Sequence, residues 1–353
     1  MEEEIITKKC TRCNEIKLLT EYFKGRNICK KCVNIGIKLN KNTENGFLGN
    51  LTREASKSAK TRAKKDRIEA GICTITSKDV KDLWKEQNGL CYYSGIPMKT
   101  KQFSSWQCSL ERLNPSLGYT KENIVLCCCE LNDSSQWSHE KIKEMIELNK
   151  NNTPVTLFDF TKPNRKPKIR ETVTKTIVEI DGKMVEHYNC NHCKKVKPIT
   201  SFCKNINIGC NECCALRSKR RMTNAYEYIQ IRLASARQSC KKRPDKIIRK
   251  TREYTYDIDM EFIEQQYKKQ NGLCYYSDIP LTLDETNWKM SFERLDSSIG
   301  YTKENVVLIC KEFNTSDKTC MNNEEECEVL GWNKEKFTYF LQNYEKNMEV
   351  FYK

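Results

Sequence analysis

Residues 109–126 read SLERLNPSLGYTKENIVL, and residues 291–308 read SFERLDSSIGYTKENVVL. Working outward, NGLCYYSGIPM at Asn88–Met98 is answered by NGLCYYSDIPL at Asn271–Leu281, 183 residues later. Further upstream Cys10, Cys13, Cys29 and Cys32 are answered by Cys190, Cys193, Cys210 and Cys213. The parts keep one order in both halves, and a period near 180 residues is far too long for a solenoid, so the chain is a tandem duplication of a two-part unit. The expected division is residues 1–50, a cysteine ribbon and the start of a helix; 51–150, a basic helix and a first YTKEN module; 151–183, a linker; 184–220, a second ribbon; and 221–353, a second basic helix and module. Within the linker, TVTKTIVEIDGK alternates like an edge strand ending in a turn.

The whole chain has 353 residues, of which 38% are hydrophobic, enough for a core in each half. Charged residues at 31% and a mean hydropathy of −0.74 exclude an integral membrane protein, so no membrane partner is expected. Lys and Arg number 62 against 47 Asp and Glu, leaving +15. That excess favours polyanions through counterion release, with DNA the expected partner and RNA left open. The opening MEEEIITKKC carries no apolar segment after a basic start, and an intracellular, reducing compartment is expected. The richness in Lys, Asn and Ile suits an AT-rich genome such as that of a large DNA virus.

Twenty-one cysteines in such a compartment point to metal rather than disulfides. Cys10-x2-Cys13-x15-Cys29-x2-Cys32 and Cys190-x2-Cys193-x16-Cys210-x2-Cys213 each offer four thiolates on two knuckles, the ligand set of a structural tetrahedral zinc. Two zinc ions per chain are expected. Phe23 and Phe202, each following a Thr within the module, are expected to pack over the metal in a module too small for its own core. A redox C-x-x-C fits less well, since it needs one pair on a βαβ unit.

REASKSAKTRAKKDRIEA from Arg53 to Ala70 has good helix formers and neither Pro nor Gly before Gly71. Arg53, Lys57, Lys60, Lys64 and Arg67 recur at steps of four and three, a stripe expected to track phosphates. The second half echoes it with Arg237 and Lys241. The competing reading is a solvated helix face. Next, Ser77 is expected to cap a helix with Val80, Leu83, Trp84 and Gln87 on one face and Gly89 at its end. CSLERL and IVL then read as short strands around the NPSLGYTKEN loop, with a helix after Cys128. Glu111, Asn123 and Asn132 keep the spacing of Glu293, Asn305 and Asn314, which signals one geometric demand met twice. Gly118 and Gly300 are read as suppliers of positive φ.

These residues resemble the HNH, or ββα-metal (His-Me finger), endonucleases, in particular the phage and large-virus type ending in N-x8-N, over roughly residues 74–145 and 257–340. The expected fold is therefore α+β: small zinc ribbons plus two ββα-metal modules in tandem, a monomer forming an internal pseudo-dimer. The resemblance implies phosphodiester hydrolysis with Mg or Mn held by Glu111 with Asn132 and by Glu293 with Asn314, the asparagines lying on the helix. It implies that Asn123 and Asn305 hold the loop bearing the general base. Where the family has its base histidine, this chain has Arg112 and Arg294. A guanidinium stays protonated and cannot take a proton from water, so these arginines suit a clamp on the scissile phosphate. His139, His187 and His192 are the only histidines and none lies in the motif. The alternative is a non-catalytic nucleic-acid-binding or packaging protein on a degenerate HNH fold; a zinc-ribbon protein adaptor would leave the basic helix unexplained. Where the family often has further knuckles, Ser94, Leu131, Ser277 and Phe313 stand in the second positions, so Cys91, Cys128, Cys274 and Cys310 are read as packed core thiols.

Overall fold

The computed structural model describes residues 6–65, 67–132, 137–151, 155–164, 172–180, 183–242, 255–283, 287–297, 299–315 and 331–351. It is an α+β protein of helices and small antiparallel sheets. The chain forms two compact units, residues 1–147 with 315–353, and residues 148–314.

In the first unit β1 (Thr7–Lys9) pairs antiparallel with β2 (Ile16–Leu18), Thr7 opposite Leu18. Helix α1 (Lys30–Lys41) starts at Cys29, whose sulfur accepts from the Cys32 N–H. Helix α2 (Glu44–Ala63) is the basic helix, and it differs from the expected Arg53–Ala70 span at both ends. Thr43 caps its start by accepting from Gly46 N at 3.1 Å. Phe47, Leu48, Ala55 and Ala59 are its buried face. At its other end the chain turns back, and Gly71 approaches so closely that an added Cβ would lie 2.7 Å from the Ala63 methyl. Ala70, in the 3-10 turn Glu69–Gly71 that follows, is 5% exposed. The five-cation stripe is thereby broken: Arg53, Lys57 and Lys60 ride on α2, Lys64 is its C-cap and Arg67 lies beyond it.

Helix α3 (Ser77–Glu86) is capped by Thr76, not Ser77. Thr76 Oγ1 accepts from Asp79 N at 3.3 Å while Asp79 accepts from Thr76 N at 2.7 Å, a reciprocal box that Ser77 is one position late to make. Gln87, expected on the apolar face, is buried for a polar reason: its amide donates to Leu90 O and Leu126 O and accepts from Leu126 N. Strands β3 (Cys108–Arg112) and β4 (Ile124–Cys128) pair with Leu110 opposite Leu126 and Glu111 opposite Val125. After β4 comes a 3-10 turn, Cys129–Leu131, and where a helix is expected directly after Cys128 the next helix among the described residues is α4 (His139–Lys150).

The second unit opens with β5 (Lys175–Ile180), a largely exposed edge strand, paired to β6 (Lys183–Asn189), which pairs with β7 (Val196–Pro198). Helices α5 (Asn211–Met222), α6 (Ala225–Lys242) and α7 (Met260–Lys269) follow, then β8 (Met290–Arg294) and β9 (Val306–Cys310). Phe292 sits opposite Leu308 and Glu293 opposite Val307, the register of β3 and β4 again. Part of the expected linker packs: the Phe158 ring stacks on Tyr267 at 4.8 Å and Phe160 lies 5.4 Å from it.

The last helix, α8 (Lys334–Phe351), belongs to the first unit. It buries Lys336, Phe337, Phe340, Tyr344 and Met348 on one face. Trp332 Nε1 donates to Glu130 O at 2.9 Å, and the Lys336 ammonium pairs with the Glu130 carboxylate, which also accepts from Trp106 N at 2.9 Å. Near the far end of α8, Gly95 (φ +62°) lets the Asn347 carbonyl approach, where an added Cβ would lie 2.5 Å from that oxygen.

Candidate metal centres and nucleic-acid interface

Each cysteine ribbon brings its four sulfurs together: Cys10, Cys13, Cys29 and Cys32 in one, Cys190, Cys193, Cys210 and Cys213 in the other, all within 4.8 Å of one another. The knuckles are shaped by a left-handed residue after each first pair, Asn14 at φ 60° and Lys194 at φ 62°. Backbone N–H groups aim at the thiols, with Cys29 N to Cys10 Sγ and Cys210 N to Cys190 Sγ both 3.3 Å. The Cys190–Cys213 and Cys193–Cys210 sulfur pairs are 3.9 Å apart. A tetrahedron with Zn–S bonds of ~2.3 Å has edges of about 3.8 Å, so the cage has the size zinc requires.

The electrostatics fit as well. Burial pushes the Cys10 thiol up, but N–H groups of Cys29, Cys13 and Arg12 outweigh it and hold the thiol down at about 6. Cys190 is held at about 6 in the same way by N–H groups of Cys193, Cys210 and His192. Burial and the neighbouring cysteines push Cys32 and Cys213 up to about 12. Four thiolates in one cage repel one another unless a cation sits among them. The aromatic lid of the first ribbon is Tyr22, not Phe23: Tyr22 bridges Cys29 and is buried, whereas Phe23 is 45% exposed. Phe202 holds the equivalent place beside Cys210. The true counterpart of Phe202 sits directly after Glu21, a one-residue shift hidden by the two adjacent aromatics Tyr22 and Phe23.

In the YTKEN modules the loop between the strands is held by its asparagine. Asn123 Nδ2 donates to Asn114 O at 3.1 Å and Gly118 O at 2.8 Å, and its Oδ1 accepts from Asn114 N at 2.8 Å. Asn305 repeats this on Asp296 and Gly300. Gly118 and Gly300 serve close approach rather than positive φ: a Cβ there would lie 2.3 Å from Ile72 O or 1.9 Å from Thr255 O. Tyr119 N donates to Ile72 O beside that contact.

Glu111 and Glu293 stand at the same register of the first strand, one residue before the arginines. Asn132 is not on a helix but ends the 3-10 turn after β4. Its Nδ2 donates to Ser109 Oγ at 2.6 Å and Leu110 O at 3.1 Å. Asn314 does the same to Ser291 Oγ and Phe292 O, at 3.0 and 2.8 Å. Both asparagines are thus tied across to the strand that carries the glutamate.

Arg112 Nη1 donates to Pro115 O and Leu117 O, both at 2.7 Å, and its guanidinium lies 5.3 Å from the Tyr119 ring. Arg294 makes the same pair of bonds to Ser297 O and Ile299 O at 2.8 Å, over Tyr301. A residue absent from the sequence-derived set joins them. Arg62, near the end of α2, lies 5.4 Å from the same Tyr119 ring. Burial first, and Arg62 second, press the Arg112 pKa below its ordinary value. Arg62 Nη1 is buried without a hydrogen-bond partner, and among the described residues no carboxylate forms a salt bridge with either arginine. The helical period pointed at the exposed stripe and away from Arg62, which the fold turns towards the loop.

The stripe itself is exposed at Arg53, Lys57, Lys60, Lys64 and Arg67. Lys57 is tied to Glu54 at 2.8 Å and Arg53 to Asn50 at 3.1 Å. In the second unit Arg237 lies 5.0 Å over Tyr256, and Lys241 is exposed one turn further on. Cys91 and Cys274 are fully buried and accept from the N–H of Cys128 and Cys310, each at 3.3 Å. Among the described residues the two ribbon clusters are the only groups of three or more Cys, His, Asp or Glu placed to share an ion. No described helix is long and apolar enough to cross a membrane. Comparison with family models, with curated proteins and with solved structures finds no match to this chain.

Proposed function

We propose that this protein binds DNA through its basic helices and HNH-like modules and hydrolyses phosphodiester bonds with a divalent cation. The observation that carries the reading is the tie of Asn132 and Asn314 to the glutamate-bearing strand, made with the same atoms in both copies. With Nδ2 engaged, Oδ1 remains an oxygen acceptor on each asparagine. A carboxylate and an amide oxygen are hard ligands, so Glu111 with Asn132 and Glu293 with Asn314 would hold magnesium or manganese. Such an ion supplies charge stabilisation on the phosphate and the leaving oxygen. Arg112 and Arg62 together present two positive charges beside one loop, which binds and orients a phosphate. Asn123 keeps that loop in shape. The ribbons, loaded with zinc, brace the start of the unit.

A second reading is favoured by one observation: the arginine at the base position is bonded to two loop carbonyls in each copy. On that ground the modules bind DNA without cutting it. Incubation of the protein with duplex, branched and single-stranded DNA, with and without magnesium or manganese, separates the two. Metal-dependent cleavage that disappears in Glu111→Gln/Glu293→Gln, while binding survives, supports the nuclease. Binding with no cleavage on any substrate supports the second reading.

A further inference from the structure

The second unit contains a cleft of about 620 Å³ between α6 and the segment leading into α7. Leu233, Ile258 and Met260 give it an apolar wall, Tyr256 an aromatic one, and Arg237 and Lys241 two cations. The Tyr256 phenol donates to Leu233 O at 3.2 Å, which fixes the ring against α6. The Arg237 guanidinium lies 5.0 Å from that ring centre, and it forms no salt bridge with a described carboxylate. The one carboxylate in the lining, Asp259, already accepts from Phe262 N at 2.8 Å and faces Lys303 at 3.7 Å. The cleft therefore has a volume suited to a small organic group, a planar cation backed by an aromatic ring, an apolar wall and a second cation one helical turn away.

The first copy keeps only half of this. Aligning SARQSCKK (235–242) with SAKTRAKK (58–65) sets Lys60 and Lys64 against Arg237 and Lys241, but Ser56 against Leu233. Cys73 bridges Tyr119 where Tyr256 bridges Tyr301. The cations are common to both copies and Ile258 is answered by Ile75, whereas Leu233, Met260 and the Tyr256 ring belong to the second. Phosphate contact alone does not call for those walls; an aromatic base does.

We infer that this cleft takes one nucleotide of a nucleic-acid strand, its base unstacked from its neighbours and laid on the Arg237–Tyr256 pair, its phosphate facing Lys241. The inference rests on the DNA-binding reading above and gives the second copy a role distinct from the first. Bases stack on aromatic rings and guanidinium planes regardless of sequence. Single-strand or distorted substrates are accordingly the preferred class, since their bases unstack at little cost.

The test is calorimetric titration of the full chain with dAMP, with deoxyribose 5-phosphate and with inorganic phosphate. The expected result is dAMP binding about tenfold tighter than the sugar phosphate, the factor that ~1.4 kcal/mol of stacking provides. Arg237→Gln should weaken dAMP about tenfold, and Leu233→Ser, the first copy's residue, should erase the preference for the base. Thermal unfolding midpoints of both variants, matching that of the unaltered chain, control for folding. Equal affinity for dAMP and deoxyribose phosphate overturns the proposal in favour of a bare anion site. An unchanged dAMP affinity in Arg237→Gln overturns it too. DNA binding that persists in Arg237→Gln without loss would sink the cleft alone, while dAMP binding in a chain that holds no DNA would sink the DNA reading alone.

Discussion

Replacing Lys336 by Met should destabilise the first unit far more than loss of a surface charge. The Lys336 side chain is 8% exposed and the Glu130 side chain 0%. Removing the ammonium leaves a carboxylate buried with the Trp106 N–H as its remaining donor, and it also removes a cation lying 5.3 Å from the Trp106 ring. Stranding one partner of a buried pair costs ~3–5 kcal/mol, against ~0–1 kcal/mol for an exposed pair. Four of the five tryptophans, Trp84, Trp106, Trp137 and Trp332, lie in the first unit, so tryptophan fluorescence during urea unfolding reports mainly on that unit. With an m-value of ~2 kcal/mol/M, a loss of ~4 kcal/mol moves its midpoint down by ~2 M. The double change Glu130→Gln/Lys336→Met removes both charges and keeps an acceptor for Trp106 N, so most of the loss should return. A single-mutant loss below ~1 kcal/mol, or a double mutant no better than the single, would refute the claim that this pair locks α8 to its neighbours.

Metal analysis of the purified chain should find two zinc ions, and Cys10→Ser should lower the count to one; a full count of two in that variant would place the metal elsewhere. Arg62→Gln should flatten the dependence of DNA affinity on salt by about one phosphate contact, while Lys57→Gln, already paired with Glu54, should change it less. Equal slopes for the two variants would remove Arg62 from the interface. The Asp79 carboxyl is held at about 2, first by its hydrogen bond to Lys121 and then by Thr76. Its folded pKa is depressed, so its contribution is complete above the ordinary value of 3.8 and is lost as pH falls towards about 2. Asp79→Asn should lower stability near neutral pH and flatten the acid limb of the stability profile; an unchanged limb between those pH values would show the pair to be inert.

Much of the architecture was legible because the two halves of the chain repeat the same segments and so carry their own comparison. The constant spacing of Glu111, Asn123 and Asn132 in two copies corresponds to one loop bonded in the same way twice, and the C-x2-C pairs to two sulfur cages. What escaped is equally physical. Helical period marks which cations share a face, but not where a helix is stopped by tertiary packing, so the Gly71 turn against Ala63 and the inward path of Arg62 were not visible. An apolar stripe such as Phe337, Phe340 and Tyr344 announces that a helix packs without saying on what, and nothing in its pattern distinguishes the second module from the first. Thr76 and Ser77, like Tyr22 and Phe23, are adjacent residues of similar chemistry, and only backbone geometry selects between them.

The return of α8 to the first unit has a consequence for synthesis. Residues 1–147 leave the ribosome long before residues 315–353, and the 167 residues of the second unit are made in between. At ~5–20 residues per second this interval is roughly 10 to 30 s. Throughout it the surface that α8 will cover, including the Glu130 carboxylate and the Trp106 ring, has no covering helix. The second unit can thus close on its own stretch of nascent chain while the first waits for its final helix, reversing the usual order in which the N-terminal part of a protein matures first. A chain stalled or cut after residue 314 would carry that uncovered surface permanently, and chaperone binding to such nascent chains should outlast that to chains carried through to Lys353.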